Sequence, residues 1–297
     1  MNDSPMTQPR SPNEMATKLR SVGYLADQGL ATIAYLAVSM SRPLLLEGEP
    51  GTGKTALAEA LAGMLEIPLI RLQCYEGIEA TQALYDWDFS RQILHLRSIE
   101  ATDTRSTVDK LEESLYSEKF LLARPILRAL QDGPVVLLID EIDRADDEFE
   151  AFLLEVLASN QISIPELGTI KATVPPIVIL TSNKTRELHD ALKRRCYFHW
   201  IDHPESSREL EIIKTHLPDI SDQLALQVTE VVQSLRNQGR LIRSPGVSEA
   251  LEWAKALKRL GGDVVDAGVA ALTIGVLCKD RDDHDVVLNT LKDNFPA

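Results

Sequence analysis

Gly48-Glu49-Pro50-Gly51-Thr52-Gly53-Lys54-Thr55 decides the fold of this chain. The octet satisfies the phosphate-loop pattern Gly-x4-Gly-Lys-Ser/Thr at every position. Its glycines let the backbone curl until successive N–H groups point at one polyphosphate, and the helix that follows adds the positive end of its dipole. In that geometry Lys54 reaches the β- and γ-phosphates, and the Thr55 hydroxyl takes one Mg²⁺ position. A glycine-rich turn is the bland alternative, and the flanks count against it. Pro43-Leu44-Leu45-Leu46 reads as a short buried strand and Ala56-Leu57-Ala58-Glu59-Ala60-Leu61-Ala62 as a helix, so the octet sits at the strand-to-helix turn that it needs.

Working outward, strands and helices alternate. Leu69 to Gln73, Val135 to Asp140, Ile177 to Thr181 and Tyr197 to Ile201 are strand candidates, and continuous β-branched and leucine runs of this kind suit a parallel sheet covered by helices on both faces. Helical spacing runs from Met15 to Met40. Tyr85 to Leu96 reads as an inserted hairpin. Gln161 to Lys171, alternating around Pro165-Glu166-Leu167-Gly168, is a better hairpin signal. Residues 1–14, rich in Pro, Ser, Asn and Asp, are expected to form a disordered tail. After His203-Pro204 the strand signal vanishes and amphipathic helices take over, as at Leu210 to His216, Leu224 to Leu235 and Val247 to Leu260. The expected division is an α/β domain over 15–205 and a smaller all-α domain over 206–297.

Two carboxylates close the strand that begins at Val135. Asp140 is placed to hold Mg²⁺ through water, and Glu141 to polarise an attacking water. Asn183 follows the Ile177 strand, either as a turn residue or as a hydrogen-bond donor to the γ-phosphate and the attacking water. The run Lys193-Arg194-Arg195 is either a solvated face or an arginine finger, with Arg195 preferred over Arg194.

Forty-five acidic against thirty-one basic residues give a formal net charge of −14. That disfavours nucleic acid as the main partner, because phosphate neutralisation needs a basic face. Cys74, Cys196 and Cys278 are widely spaced and read as small buried hydrophobes rather than as a disulfide or zinc framework. No apolar run reaches transmembrane length, no secretory leader is evident, and a cytoplasmic location is expected.

With the octet, Asp140-Glu141, Asn183, the basic run and a helical C-terminal region in this order, the chain resembles an AAA+ ATPase. The stretches Arg71 to Gly77, Ala83 to Trp87, Phe152 to Leu157 and Glu187 to Cys196 are similar to those of the MoxR branch, and within it to CoxD-type maturation proteins. The resemblance implies an AAA+ P-loop NTPase core with a helical lid, ATP and Mg²⁺ as ligands, and ATPase chaperone activity. Gly48 to Thr55 becomes Walker A, Asp140 and Glu141 Walker B, Asn183 sensor 1, and Arg195 a finger acting in trans. A homo-oligomer is implied, a hexameric ring with each ATP site between two subunits. The implied partners are a protein client, apo carbon monoxide dehydrogenase with its molybdenum-copper site, and a von Willebrand-type adaptor. Another metalloenzyme, such as a denitrification-type reductase, is an alternative client. One departure stands out: relatives often carry a sensor-2 arginine directly after a Ser-Pro pair, and here Ser244-Pro245 is followed by Gly246. Arg240 or Arg243 substitutes, or sensor 2 is absent. Tyr75 and Gly77 follow the second strand, where AAA+ rings carry channel loops, so the resemblance implies that Tyr75, and Trp87 with Phe89, contact a polypeptide client; packed aromatics are the alternative.

Overall fold

The computed structural model describes residues 8–102, 115–165 and 167–294. Five parallel strands form the central sheet: β1 (Leu44–Gly48), β2 (Leu69–Gln73), β5 (Val136–Asp140), β8 (Ile177–Ser182) and β9 (Tyr197–Ile201), in the order β2-β5-β8-β1-β9. β1 and β5 are buried along their whole length, as a sheet with both faces covered requires. Successive side chains point to opposite faces. Leu44, Leu46, Val136, Leu138 and Ile179 pack under α1 (Pro12–Ser21), α2 (Gln28–Ser39) and α3 (Lys54–Leu65). Leu45, Leu137, Ile139, Val178 and Leu180 pack on the other face, with the helices Pro125–Gln131 and Asp147–Ser159.

A third apolar cluster is drawn from residues between Ile213 and Leu291, on the helices Ser206–His216, Asp222–Asn237, Val247–Arg259, Ala267–Leu272, Ile274–Leu277 and His284–Asn294. Trp253 is fully buried at its centre, and its indole N–H donates to Thr273 Oγ1 at 2.9 Å. Arg236 forms a two-pronged ion pair with Glu209, at 2.9 and 2.7 Å, and both side chains are buried. The same guanidinium donates to Pro245 O at 2.7 Å, which fixes the loop ahead of Val247.

Three expectations change. Helix α1 begins at Pro12, inside the stretch read as a disordered tail. Ser11 caps it by accepting from Glu14 N, proline suits the first helical position, and Met15 and Leu19 are buried. Residues 1–7 lie outside the described residues. The helical spacing from Met15 to Met40 is two helices, because Gly23 turns the chain at φ 88° and Asp27 caps a new start by accepting from Leu30 N. The segment from Tyr85 to Leu96 is not a hairpin. β3 (Tyr85–Trp87) pairs antiparallel with the distant β4 (Leu121–Ala123), and a helix runs over Phe89–Thr102. Asp88 accepts from Arg91 N and so starts a helix where a hairpin needs a turn. The second hairpin forms as expected, from β6 (Gln161–Ile164) and β7 (Gly168–Lys171), with Gln161 opposite Lys171; Glu166 lies outside the described residues.

Candidate nucleotide site

The octet joins β1 to α3, and α3 starts at Lys54. Gly51 lies at φ 76°, a conformation that L side chains rarely adopt, so the turn depends on glycine there. Lys54 is buried, and its ammonium donates to Gly48 O at 2.8 Å and to Glu49 O at 2.6 Å. Burial holds its pKa below the ordinary lysine value, against the pull of the carboxylates of Asp143, Asp140, Glu141 and Glu49.

Parallel pairing places the ends of β5 and β8 beside each other, and Thr181 joins them. Its hydroxyl donates to Asp140 Oδ1 at 2.5 Å and accepts from Glu141 N at 2.9 Å. Thr55 donates to the same Asp140 Oδ1 at 3.1 Å. Asp140 Oδ2 pairs with Arg71 at 2.5 Å. Glu141 leaves the strand at φ 55°, which turns its side chain out of the buried register. Its carboxylate meets Arg144 at 2.9 Å, Gln73 Nε2 at 3.0 Å and Asn183 Nδ2 at 3.3 Å. Lys54, Thr55, Asp140, Glu141 and Asn183 therefore line one cavity of about 360 Å³, together with Arg71, Thr181 and Ser248. Thr55 and Asp140 offer a hydroxyl and a carboxylate, hard oxygen donors that fit Mg²⁺. Bound there, the ion would offset phosphate charge.

On the other flank of Gly51 and Gly53 lies a cavity of about 500 Å³ with Leu25, Leu30, Ile201, Ile212 and Leu251 among its walls. Its size and mostly apolar lining suit a flat aromatic base. Tyr24 donates to Gly53 O at 3.4 Å, and His203 Nε2 lies 2.9 Å from Glu49 Oε2, so both cavity walls are tied to the phosphate turn.

The C-terminal helices reach the turn through backbone. Val247 N donates to Gly51 O at 2.9 Å, and Gly246 lies so close that a Cβ there would sit 2.8 Å from Gly51 Cα. No arginine mediates this contact. Arg240 lines a separate cavity with Gln238 and Thr290, and Arg243 N donates to Asp283 Oδ2 at 3.0 Å. Neither lines either nucleotide cavity.

Residues 43–196, a little over half of the chain, match the AAA domain family, dynein-related subfamily. The chain belongs to that family. Proteins of Staphylococcus epidermidis and Staphylococcus haemolyticus, both described as uncharacterized, are each 24% identical over 280 residues, covering 91% of this chain and 97% of theirs. Among solved structures, a point mutant of RuvB from Thermotoga maritima superposes with a TM-score of 0.50 at 19% identity, over 91% of this chain and 73% of its own. That likeness concerns the AAA+ P-loop NTPase fold, a five-stranded parallel sheet flanked by helices with a helical C-terminal region.

Other expected residues lie elsewhere. Arg194 and Arg195 are exposed at the end of the helix Asp190–Arg195, away from the cavity of their own chain. Arg195 donates to Leu154 O at 3.2 Å, and Arg42 holds the helix end by donating to Arg194 O at 2.7 Å and Arg195 O at 3.2 Å. Tyr75 is exposed and donates to Gln82 Oε1 at 2.7 Å, whereas Trp87 is half-buried against the rings of Tyr85 and Tyr116. All three cysteines are buried and free, and burial pushes the Cys74 and Cys196 thiols up to about 12. Among the described residues, no helix is long and apolar enough to cross a membrane. Arg71, Gln73 and Thr181 were not anticipated. The available signal was alternation in β2, which leaves Arg71 and Gln73 exposed beside buried Leu72 and sets Gln73 opposite Asp140.

Proposed function

We propose that the chain binds ATP with Mg²⁺ and hydrolyses it to remodel a protein client. The observation that supports this is the convergence of Lys54, Thr55, Asp140, Glu141 and Asn183 on one cavity beside a base-sized one. Lys54 would exchange its two carbonyl acceptors for phosphate oxygens. Glu141 would take the proton of the attacking water, and Asn183 would hold that carboxylate in place. Arg195 would serve a neighbouring subunit of a hexameric ring, which its exposed position permits. Residues 15–205 form the nucleotide domain in this reading and residues 206–297 the lid.

Glu141→Gln is expected to keep nucleotide affinity and to lose steady-state turnover, measured by phosphate release. Unchanged turnover overturns the role of Glu141. Mixing Arg195→Ala with Lys54→Ala subunits restores part of the activity if the finger acts in trans; intact rings without rescue count against it. A second reading, a nucleotide-gated switch with little turnover, is favoured by the three partners that already hold Glu141. Turnover that rises only when a client is added separates the two.

The proposed branch is MoxR, and the proposed client is apo carbon monoxide dehydrogenase, reached through a von Willebrand-type adaptor in the cytoplasm. Support comes from the resemblance of the stretches around Arg71 to Trp87 and Glu187 to Cys196. ATP-dependent retention of that apoenzyme by the Glu141→Gln form tests it. Retention of a denitrification-type reductase instead moves the assignment to another metalloenzyme.

A further inference from the structure

Asp140 is almost wholly buried, and its two oxygens have different partners. Oδ1 accepts from the hydroxyls of Thr55 and Thr181, and Oδ2 meets the guanidinium of Arg71 at 2.5 Å. Lys54, the other cation of the cavity, is turned onto the carbonyls of Gly48 and Glu49, so Arg71 supplies the counter-charge to Asp140. The two partners differ in freedom. The Arg71 side chain is 51% exposed against 4% for Asp140, so the guanidinium is the member able to move. Arg71 lines the same cavity as Lys54 and Thr55. A divalent cation approaching Asp140 therefore competes with a guanidinium already there, and a displaced guanidinium has a polyphosphate within the same cavity. Its planar fork suits phosphate oxygens as well as it suits a carboxylate.

We propose that Arg71 is a phosphate-binding residue that alternates between two anions. Without nucleotide it neutralises Asp140 and opposes metal binding. When nucleotide and metal arrive together, the metal takes Asp140 and Arg71 transfers to the phosphates, so metal and nucleotide bind cooperatively. This rests on the nucleotide-site reading above.

The test compares wild type, Arg71→Gln and Arg71→Lys in two titrations. Mn²⁺ alone, followed by electron paramagnetic resonance, is expected to bind about three- to tenfold more tightly to Arg71→Gln than to wild type, because a competing charge-assisted pair is gone. A fluorescent ATP analogue with Mg²⁺ is expected to bind Arg71→Gln about tenfold more weakly, since a charged hydrogen bond to phosphate is lost. Arg71→Lys keeps the charge and falls between the two in both titrations. Opposite changes in the two titrations support the proposal. Changes in the same direction, as when Arg71 merely braces Asp140, overturn it, and so does no change in either. If wild type itself binds no nucleotide, the nucleotide-site reading fails, and the role of Arg71 fails with it.

Discussion

The two flanks of the phosphate turn are made of different materials. Toward β5 and β8 the contacts run through side chains: Thr55, Asp140, Thr181, Arg71, Glu141 and Asn183 form a chain of charged, hydroxyl and amide groups, which Glu141 joins through its backbone N–H on Thr181 as well as its carboxylate on Asn183. Toward the C-terminal helices the contact is backbone to backbone, Val247 N on Gly51 O with Gly246 packed against Gly51. The first flank can change charge, exchange partners and accept a metal. The second can only keep or lose its fit. A nucleotide seated between them would be read chemically on one side and mechanically on the other.

The largest expected effect comes from cutting the side-chain flank at its centre. Thr181→Val keeps the shape but leaves Glu141 N without an acceptor and takes one donor from Asp140. Misplacing Asp140 and Glu141 is expected to lower kcat about 10- to 100-fold, and the buried unsatisfied group, at about 1–3 kcal/mol, to lower the thermal midpoint by about 2–10 °C. A kcat within twofold of wild type would show that Thr181 does not position Asp140 and Glu141. On the backbone flank, Gly246→Ala puts a Cβ within 2.8 Å of Gly51 Cα and 2.9 Å of Gly51 O. Overpacking of this kind costs about 1–3 kcal/mol, and nucleotide affinity measured by calorimetry is expected to fall about tenfold. Unchanged affinity would remove Gly246 from the coupling path.

The same division explains what could be read from the sequence. Side-chain placement announces itself: the octet, Asp140-Glu141 and Asn183 stand out in the sequence as polar groups at the ends of apolar runs, and the fold brings them to one cavity. Contacts made by backbone carry no such signature. Gly246 looked like a missing arginine, and only the fold reveals that it meets Gly51. Arg71 and Thr181 were hidden because their roles follow from strand order, with β2 and β8 on either side of β5. The helix Phe89–Thr102 was missed because a mixed stretch of aromatic and acidic residues hid the capping Asp88.

Next in size is a difference in response to pH. Burial holds Lys54 below its ordinary value of 10.5, while bound phosphates would raise it. Below both values Lys54 is charged in free and bound states, and affinity is level. As pH rises through the depressed value, the free protein loses the proton that the complex keeps. Affinity then falls, by no more than about tenfold per pH unit for one proton. A fluorescent nucleotide titrated between pH 7 and pH 10 checks this. The Gly246→Ala variant should show the same slope displaced to weaker binding, because its defect does not involve Lys54. A slope altered by Gly246→Ala would mean that the two flanks are not separable.

The smallest effect uses a glycine again, in a place where neither flank is touched. Gly63 lies on the exposed side of α3, and a Cβ added there meets no atom within 4 Å. Alanine in a helix interior is favoured over glycine by about 0.5–1 kcal/mol, so Gly63→Ala is expected to raise the thermal midpoint by about 1–3 °C. Nucleotide affinity should not change. The same chemical substitution is thus expected to stabilise at 63 and to damage at 246, and the sign is decided by what the added methyl meets. If Gly63→Ala also weakens nucleotide binding, α3 cannot be treated as a rigid support for the turn, and the loss at Gly246→Ala would no longer isolate the backbone contact with Gly51.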